Sequence, residues 1–208
     1  MKRYALILLL LVSYVTSFAQ IKVGVQVSPT LSFNRVSGES GNLDFSSDGI
    51  GGRILAGAIV DYMLKENYFV SSGVFFVPKR VGLRDGATQQ VEEAYKLHYL
   101  QIPATMKLFT NEVALDTRIY FQGGFALDFK LKDDKLSEEV RYVDSFGFAD
   151  ASLLLATGAE YRYGYNTILF GGFSYRRGFG NVVRNAAAPA GDLIIKNDLF
   201  SLDLGVKF

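Results

Sequence analysis

Apolar and polar side chains alternate with period two along most of the chain, and no other feature restricts its fold so strongly. In "IKVGVQVSPTLSF" Val23, Val25 and Val27 share one face, while Lys22, Gly24, Gln26 and Ser28 share the other. In "TRIYFQGGFALDFK" Ile119, Phe121, Phe125, Leu127 and Phe129 oppose Arg118, Tyr120, Gln122, Gly124, Asp128 and Lys130. "LFSLDLGVKF" sets Phe200, Leu202, Leu204, Val206 and Phe208 against Ser201, Asp203, Gly205 and Lys207. Side chains on a strand point alternately to its two faces, so this pattern marks strands with one apolar face. No long segment carries the helical period of 3.6 residues.

Eight strands are predicted, near residues 21–33, 50–62, 67–81, 95–109, 116–131, 146–163, 166–180 and 197–208. Their connections alternate in length. "NRVSGESGNLDFSSDG", "GLRDGATQQVEEA", "LKDDKLSEEVRYVDS" and "NVVRNAAAPAGDLIIKN" are long, and "LKEN", "TNEVAL" and "GYN" are short. An even number of strands with short turns at one end and long loops at the other is the signature of an outer-membrane barrel. Rings cluster at both levels: Tyr62, Tyr68, Phe109, Tyr163, Tyr165 and Phe208 beside the short turns, and Phe33, Tyr95, Phe129, Phe146, Phe179 and Phe200 near the long loops. Two aromatic girdles at the headgroup levels account for this placement.

The first residues read as an export signal: Met1, Lys2 and Arg3, an apolar run from Tyr4 to Val12, then "SYVTSFAQ" with small residues at Ser17 and Ala19. The expected organisation is a signal peptide over 1–19 and one barrel domain over 20–208. The run is too short for a spanning helix, which needs about 20 apolar residues. Removing Lys2 and Arg3 lowers the formal net charge from +1 to −1, a balance unlike the basic patch that nucleic-acid binding uses. With no Cys in the chain, neither a disulfide framework nor a lipidated cysteine is available.

Alternation does not say which face is inside. A soluble lipocalin-like barrel would turn its apolar face inward around a ligand. An eight-stranded interior is barely wide enough for its own side chains, and a row such as Ile119 to Phe129 on every strand would overfill it. Small and charged residues fit better. The predicted interior is therefore an ion network of Lys22, Arg53, Asp61, Lys107, Arg118, Asp128, Glu160, Arg162, Arg176 and Asp203, together with Lys130 and Lys207. The mixed signs allow pairing, as burial of charge demands.

The most distinctive stretch is "HYLQIPATMKLFTNE". Its Tyr99, Leu100, Ile102, Pro103 and Lys107 resemble the Tyr-Leu-Glu-Ile-Pro-hydrophobic-Lys strand of the PorT-like outer-membrane β-barrel family of Gram-negative bacteria, with Gln101 where that family has Glu. "VGVQVSPTLS", "SSGVFFVPKRVG" and "LLLATGAEYRY" echo the same family in order along the chain. The resemblance implies a small antiparallel barrel in the outer membrane and, from the family's namesake, an accessory role in type IX protein secretion. Pro103 inside a strand predicts a bulge. Phe208, with Val206 before it, resembles the C-terminal signal by which the barrel-assembly machinery recognises its substrates.

The lone histidine, His98, has Leu97, Tyr99 and Leu100 as neighbours, with no nucleophile or second base in the pattern, and it reads as a rim residue. One His and no Cys do not suit a transition-metal site. Asp133, Asp134, Glu138, Glu139 and Asp144 lack the spacing of a calcium loop and read as a solvated charge run. The loop bearing Ala186, Pro189, Leu193, Ile194 and Ile195 is less polar than an exposed tip, so it is either the candidate surface for an envelope or secretion-complex protein or an extension of the final hairpin above the membrane. The sequence thus predicts an all-β, eight-stranded transmembrane barrel of the outer membrane of a Gram-negative bacterium. It is expected to be non-enzymatic and cofactor-free, to contact outer-membrane lipids but no nucleic acid, and to be structural or partner-binding. A lipid-modifying enzyme, a narrow channel and a soluble ligand carrier are the alternatives.

Overall fold

In a computed structural model of the chain the described residues are 20–37, 45–47, 49–85, 91–135, 143–186 and 194–208. The expected signal peptide lies outside them. The strands among them are β1 (Ile21–Ser37), β2 (Phe45–Ser47), β3 (Gly51–Lys65), β4 (Tyr68–Asp85), β5 (Val91–Ala114), β6 (Thr117–Lys135), β7 (Val143–Phe146), β8 (Ala149–Tyr163), β9 (Thr167–Gly178), β10 (Val183–Ala186) and β11 (Ile194–Lys207).

Eight of these, β1, β3, β4, β5, β6, β8, β9 and β11, form a closed antiparallel ring in which each pairs with the next and β11 returns to β1. Paired residues followed once around the ring run from Lys22 through Asp61, Ser71, Thr105, Gly124, Leu154, Arg176 and Leu199, and regain β1 at Ser32. The circuit thus ends ten residues along from Lys22. With a rise of about 3.3 Å per residue and strands about 4.8 Å apart, this stagger tilts the strands by roughly 40°. Closure leaves the wall without a free edge, which a strand in lipid requires because its polar backbone would otherwise be unpaired.

Tight turns join the strands at one end. β3 and β4 meet across Glu66 and Asn67, with Lys65 opposite Tyr68. β5 and β6 meet across Leu115 and Asp116, where Asp116 has φ of 55°. β8 and β9 meet across residues 164–166, where Gly164 has φ of 77°. Glycine and aspartate are among the few residues that accept this left-handed backbone.

The faces divide as the alternation predicts. Val25, Phe121, Phe125 and Leu204 are about half exposed on the outside, and along β9 burial alternates residue by residue. The interior is less purely polar than expected, however. Leu55, Val77, Val81, Tyr95, Leu97, Tyr99, Phe170 and Leu199 form an inward cluster with Phe146, Val182, Val183 and Ile195. The long-loop end of the interior is therefore an apolar core. Three girdle assignments change with it: Phe109, Tyr95 and Phe146 are 5 to 8% exposed and point inward, whereas Tyr62, Tyr163, Tyr165, Phe179 and Phe200 face out.

β7 covers the end of the predicted third long connection and Phe146, the predicted first residue of the sixth strand. It pairs with β10 as a separate two-stranded sheet, and the Phe146 ring stands edge-on to Tyr95 at 4.8 Å. The third and fourth long connections thus meet each other and lower apolar side chains into the barrel mouth.

The expected bulge at Pro103 is absent. Ser72 pairs with Ala104 and Phe75 with Gln101 in the same register, so no residue is inserted between them. Proline removes a ladder donor, and the Ser72 hydroxyl donates to the Pro103 carbonyl at 2.8 Å. The register shifts of β5 fall instead at His98/Tyr99 and between Phe109 and Ala114 against β6, and between Val91 and Glu93 against β4.

Candidate functional site

The candidate site is the barrel interior with its two mouths. Toward the short turns, the Lys207 ammonium on β11 donates to Asp61 Oδ2 on β3 at 2.6 Å and also bonds Glu160 on β8. Lys107 on β5 donates to the same Asp61 oxygen at 3.1 Å and lies 3.7 Å from Glu160. The Ser71 hydroxyl donates to the other Asp61 oxygen at 2.5 Å. Two ammoniums and two carboxylates from four strands therefore balance in a region at most 5% exposed. Rings border it, with Tyr120 4.9 Å from Lys107 and Phe170 5.0 Å from Lys207. Charges buried this deeply are tolerated only when paired and hydrogen-bonded.

A second chain of contacts runs toward the long loops. Arg176 donates to Gln101 Oε1 at 3.1 Å and to the hydroxyls of Ser174 and Ser201. The Gln101 amide donates in turn to Asp128 at 2.6 Å. Lys79 completes the chain, 2.8 Å from Asp128, 3.6 Å from Asp150 and over the Tyr99 ring at 4.6 Å. Gln101 thus uses its carbonyl toward a cation and its amide toward an anion. A Glu in its place would set a second negative charge against Asp128. A Gln at this position therefore has a local physical reason.

Between the two groups remains a cavity of about 30 Å³ lined by Gln26, Lys107, Gln122, Arg176 and Asp203 among others. That is room for about one water. Toward the long loops Leu55, Val77, Leu97, Tyr99, Ile195 and Leu199 are at most 1% exposed. Toward the turns Phe69 meets Phe109 edge-on at 5.1 Å, and Tyr120 packs beside them.

Several expected members of the ion network lie elsewhere. Lys22, Arg118 and Arg162 stand at the turn-side mouth, outside the ion pairs formed by the described residues. Arg53, predicted inside the network, donates through its guanidinium to the neighbouring Gly52 carbonyl at 2.8 Å and forms no ion pair among the described residues. The register places it beyond Ala56, where the β3–β4 ladder stops. Lys130 reaches the Phe146 carbonyl and Asp133. Asp203 lines the small cavity, with its Oδ1 unpaired.

The sequence reading missed Lys79 and Asp150. Lys79 shares its face with Val77 and Val81, and this strand has Val74 and Phe76 on its other side. Two apolar faces hide the alternation, although counting by twos from Ser71 would have found it.

The candidate partner loop also needs correction. Ile195 is fully buried and packs in the interior cluster, because it alternates with Asn197 and Leu199 on the inner face of β11. Ile194 faces out at 41% exposure, Ala186 pairs with Val143, and Pro189 and Leu193 lie outside the described residues. Val206 pairs with Val25, and the Phe208 N–H bonds the Val23 carbonyl at 2.8 Å, its ring 61% exposed. The His98 ring lies edge-on to Phe76 at 5.2 Å, and its Nε2 has no hydrogen-bond partner. Among the described residues no group of three or more His, Cys, Asp or Glu could hold a metal ion.

A closed antiparallel ring with an apolar outer wall and a packed interior defines the class of small outer-membrane barrels. Residues 18–184 match the profile of the outer membrane protein beta-barrel domain, and the chain belongs to that family. Solved structures agree on the fold. OprG from Pseudomonas aeruginosa superposes with a TM-score of 0.56 at 11% identity, covering 91% of this chain and 97% of its own. Neisserial surface protein A gives 0.51 at 14%, with 90% and 97% covered. The outer membrane protease OmpT from Escherichia coli gives 0.52 at 9%, with 92% and 97% covered. No curated protein matches the chain in sequence. The protein is therefore an outer-membrane β-barrel of a Gram-negative bacterium.

Proposed function

We propose that this barrel works without catalysis, as a structural or partner-binding element of the outer membrane, and that it is an accessory to type IX protein secretion, as its PorT-like motifs imply. The observation that supports this reading is the filled interior. Ion pairs, hydrogen-bonded amides and an apolar cluster occupy the space a transport path would need. Specificity then rests on the loops, the two mouths and the lipid-facing wall. A partner among envelope or secretion-complex proteins, and the assembly machinery during biogenesis, would meet those surfaces.

The experiment is photo-crosslinking in intact cells from Ala186 and from Ile194, followed by identification of the trapped protein. A probe at Ser40, in the polar first loop, is the comparison. Capture of one secretion component from the first two positions supports the reading. Equal, low yields from all three would remove its partner-binding half. Purified barrel in planar bilayers tests the other half, since steady ohmic conductance would contradict a filled interior.

A further inference from the structure

At the turn-side mouth an open bowl of about 390 Å³ is lined by Lys22, Met63, Phe69, Thr110, Arg118 and Arg162, with Asn67, Asn111, Glu66 and Glu112 around it. Its floor is the apolar cluster of Phe69, Phe109 and Tyr120, against which Met63 packs. Two of its cations rest on that floor. Lys22 lies over the Phe69 ring at 5.4 Å, and the Arg118 guanidinium lies over Phe109 at 4.5 Å. The buried carboxylates beneath, Asp61 and Glu160, pair with Lys107 and Lys207, while Glu160 Oε2 has no hydrogen-bond partner. Three cations therefore share a mouth whose exposed carboxylates are Glu66 on the β3–β4 turn and Glu112 at the end of β5, with Asp116 and Glu160 in a smaller recess beside Arg118 and Arg162.

We propose that this bowl binds the carboxylates of an acidic peptide segment on the periplasmic side of the membrane. The inference does not depend on the secretion reading. A cation held over a ring is fixed in place while its donors stay free, and two guanidiniums present the fork that matches a carboxylate in two parallel bonds. A peptide suits the surroundings better than a bare ion. Asn67 donates its amide to Asn111 Oδ1 at 3.3 Å, which leaves the Asn67 carbonyl and the Asn111 amide to meet its backbone, and Met63 can receive an aliphatic stem. The short-turn end of such barrels faces the periplasm, so the ligand would come from that compartment.

The test uses the full-length barrel folded in detergent, with a fluorescein-labelled tetraglutamate peptide as probe and fluorescence polarisation as readout. The tetraglutamate should bind, tetralysine should not, and added salt should weaken the complex. The double variant Arg118→Gln/Arg162→Gln should weaken binding about tenfold or more, the loss expected for removed charge-assisted bonds. Arg184→Gln, exposed near the opposite mouth, should change nothing. Retention of the fast-migrating form on unheated gels shows that the double variant is folded. Should it fail to fold, Arg162→Gln alone, an exposed side chain, should still weaken binding severalfold. Unchanged affinity in the folded variants, or equal binding of tetralysine, would overturn the proposal.

Discussion

The Lys207 ammonium donates to Asp61 at 2.6 Å across the interior, joining the last strand of the barrel to β3, which is not its neighbour in the ring. Lys207 also reaches Glu160 on β8. One side chain thus clamps three strands. Replacing Lys207 by Met leaves Glu160 with only the more distant Lys107, and a buried carboxylate stripped of its partner costs about 3–5 kcal/mol. Urea unfolding in lipid vesicles should show a loss of that size, and Lys207→Met combined with Glu160→Gln should recover part of it. A double variant as unstable as the single one would contradict the pairing.

Gln101 links Arg176 to Asp128. Gln101→Glu keeps the bond to Arg176 but turns the amide donor into a charge facing Asp128, so it should lower stability. Pairing Gln101→Glu with Asp128→Asn should relieve the repulsion. The measurement is a double-mutant cycle on unfolding free energies, with a coupling of about 0.5–3 kcal/mol expected for groups in one network.

Outward and inward positions should respond oppositely to charge. Arginine at Val25, Phe121 or Leu204, each about half exposed on the wall, should cost about 2–4 kcal/mol if it lies at the bilayer midplane. The same proteins in detergent micelles should be affected less. Equal tolerance in both media would mean that this face does not meet lipid.

Ile194 and Ile195 are neighbours with different surroundings, the first 41% exposed and the second fully buried. Ile195→Ala should destabilise by about 2–5 kcal/mol, as emptied core sites do. Ile194→Ala should leave stability nearly unchanged. If Ile194→Ala nevertheless abolishes crosslinking to a partner, the exposed residue is the binding one.

Gly158 and Gly172 face each other where β8 and β9 pair. A Cβ on Gly172 would stand 2.4 Å from the Thr157 carbonyl oxygen and 2.6 Å from the Tyr120 hydroxyl, and one on Gly158 would stand 2.3 Å from the Gly171 carbonyl oxygen. Gly172→Val should therefore displace both the strand pair and the Tyr120 ring that borders Lys107, and lower the temperature at which the barrel loses its fast-migrating gel form. Because the nearest atom is backbone, adding Tyr120→Ala should not restore the wild-type temperature. Full rescue by Tyr120→Ala would place the strain in the side chain instead.

Which residues face in or out was legible wherever a strand alternates cleanly, because the period of two is a local property of the extended backbone and needs no partner. The sequence alone therefore determined eight strands, the short and long connections and the inward set that holds Asp61, Lys107, Glu160 and Lys207. It could not determine who meets whom across the lumen. Asp61 and Lys207 lie 146 positions apart in the chain, and only the closed ring with its stagger brings them together. The same closure separated Arg53 from the network and left Lys22, Arg118 and Arg162 together at the mouth. It also drew Phe146 and Val183 from two long connections, together with Ile195 at the start of β11, into an apolar plug, since side chains above the membrane bury themselves wherever the ring offers an uncovered core.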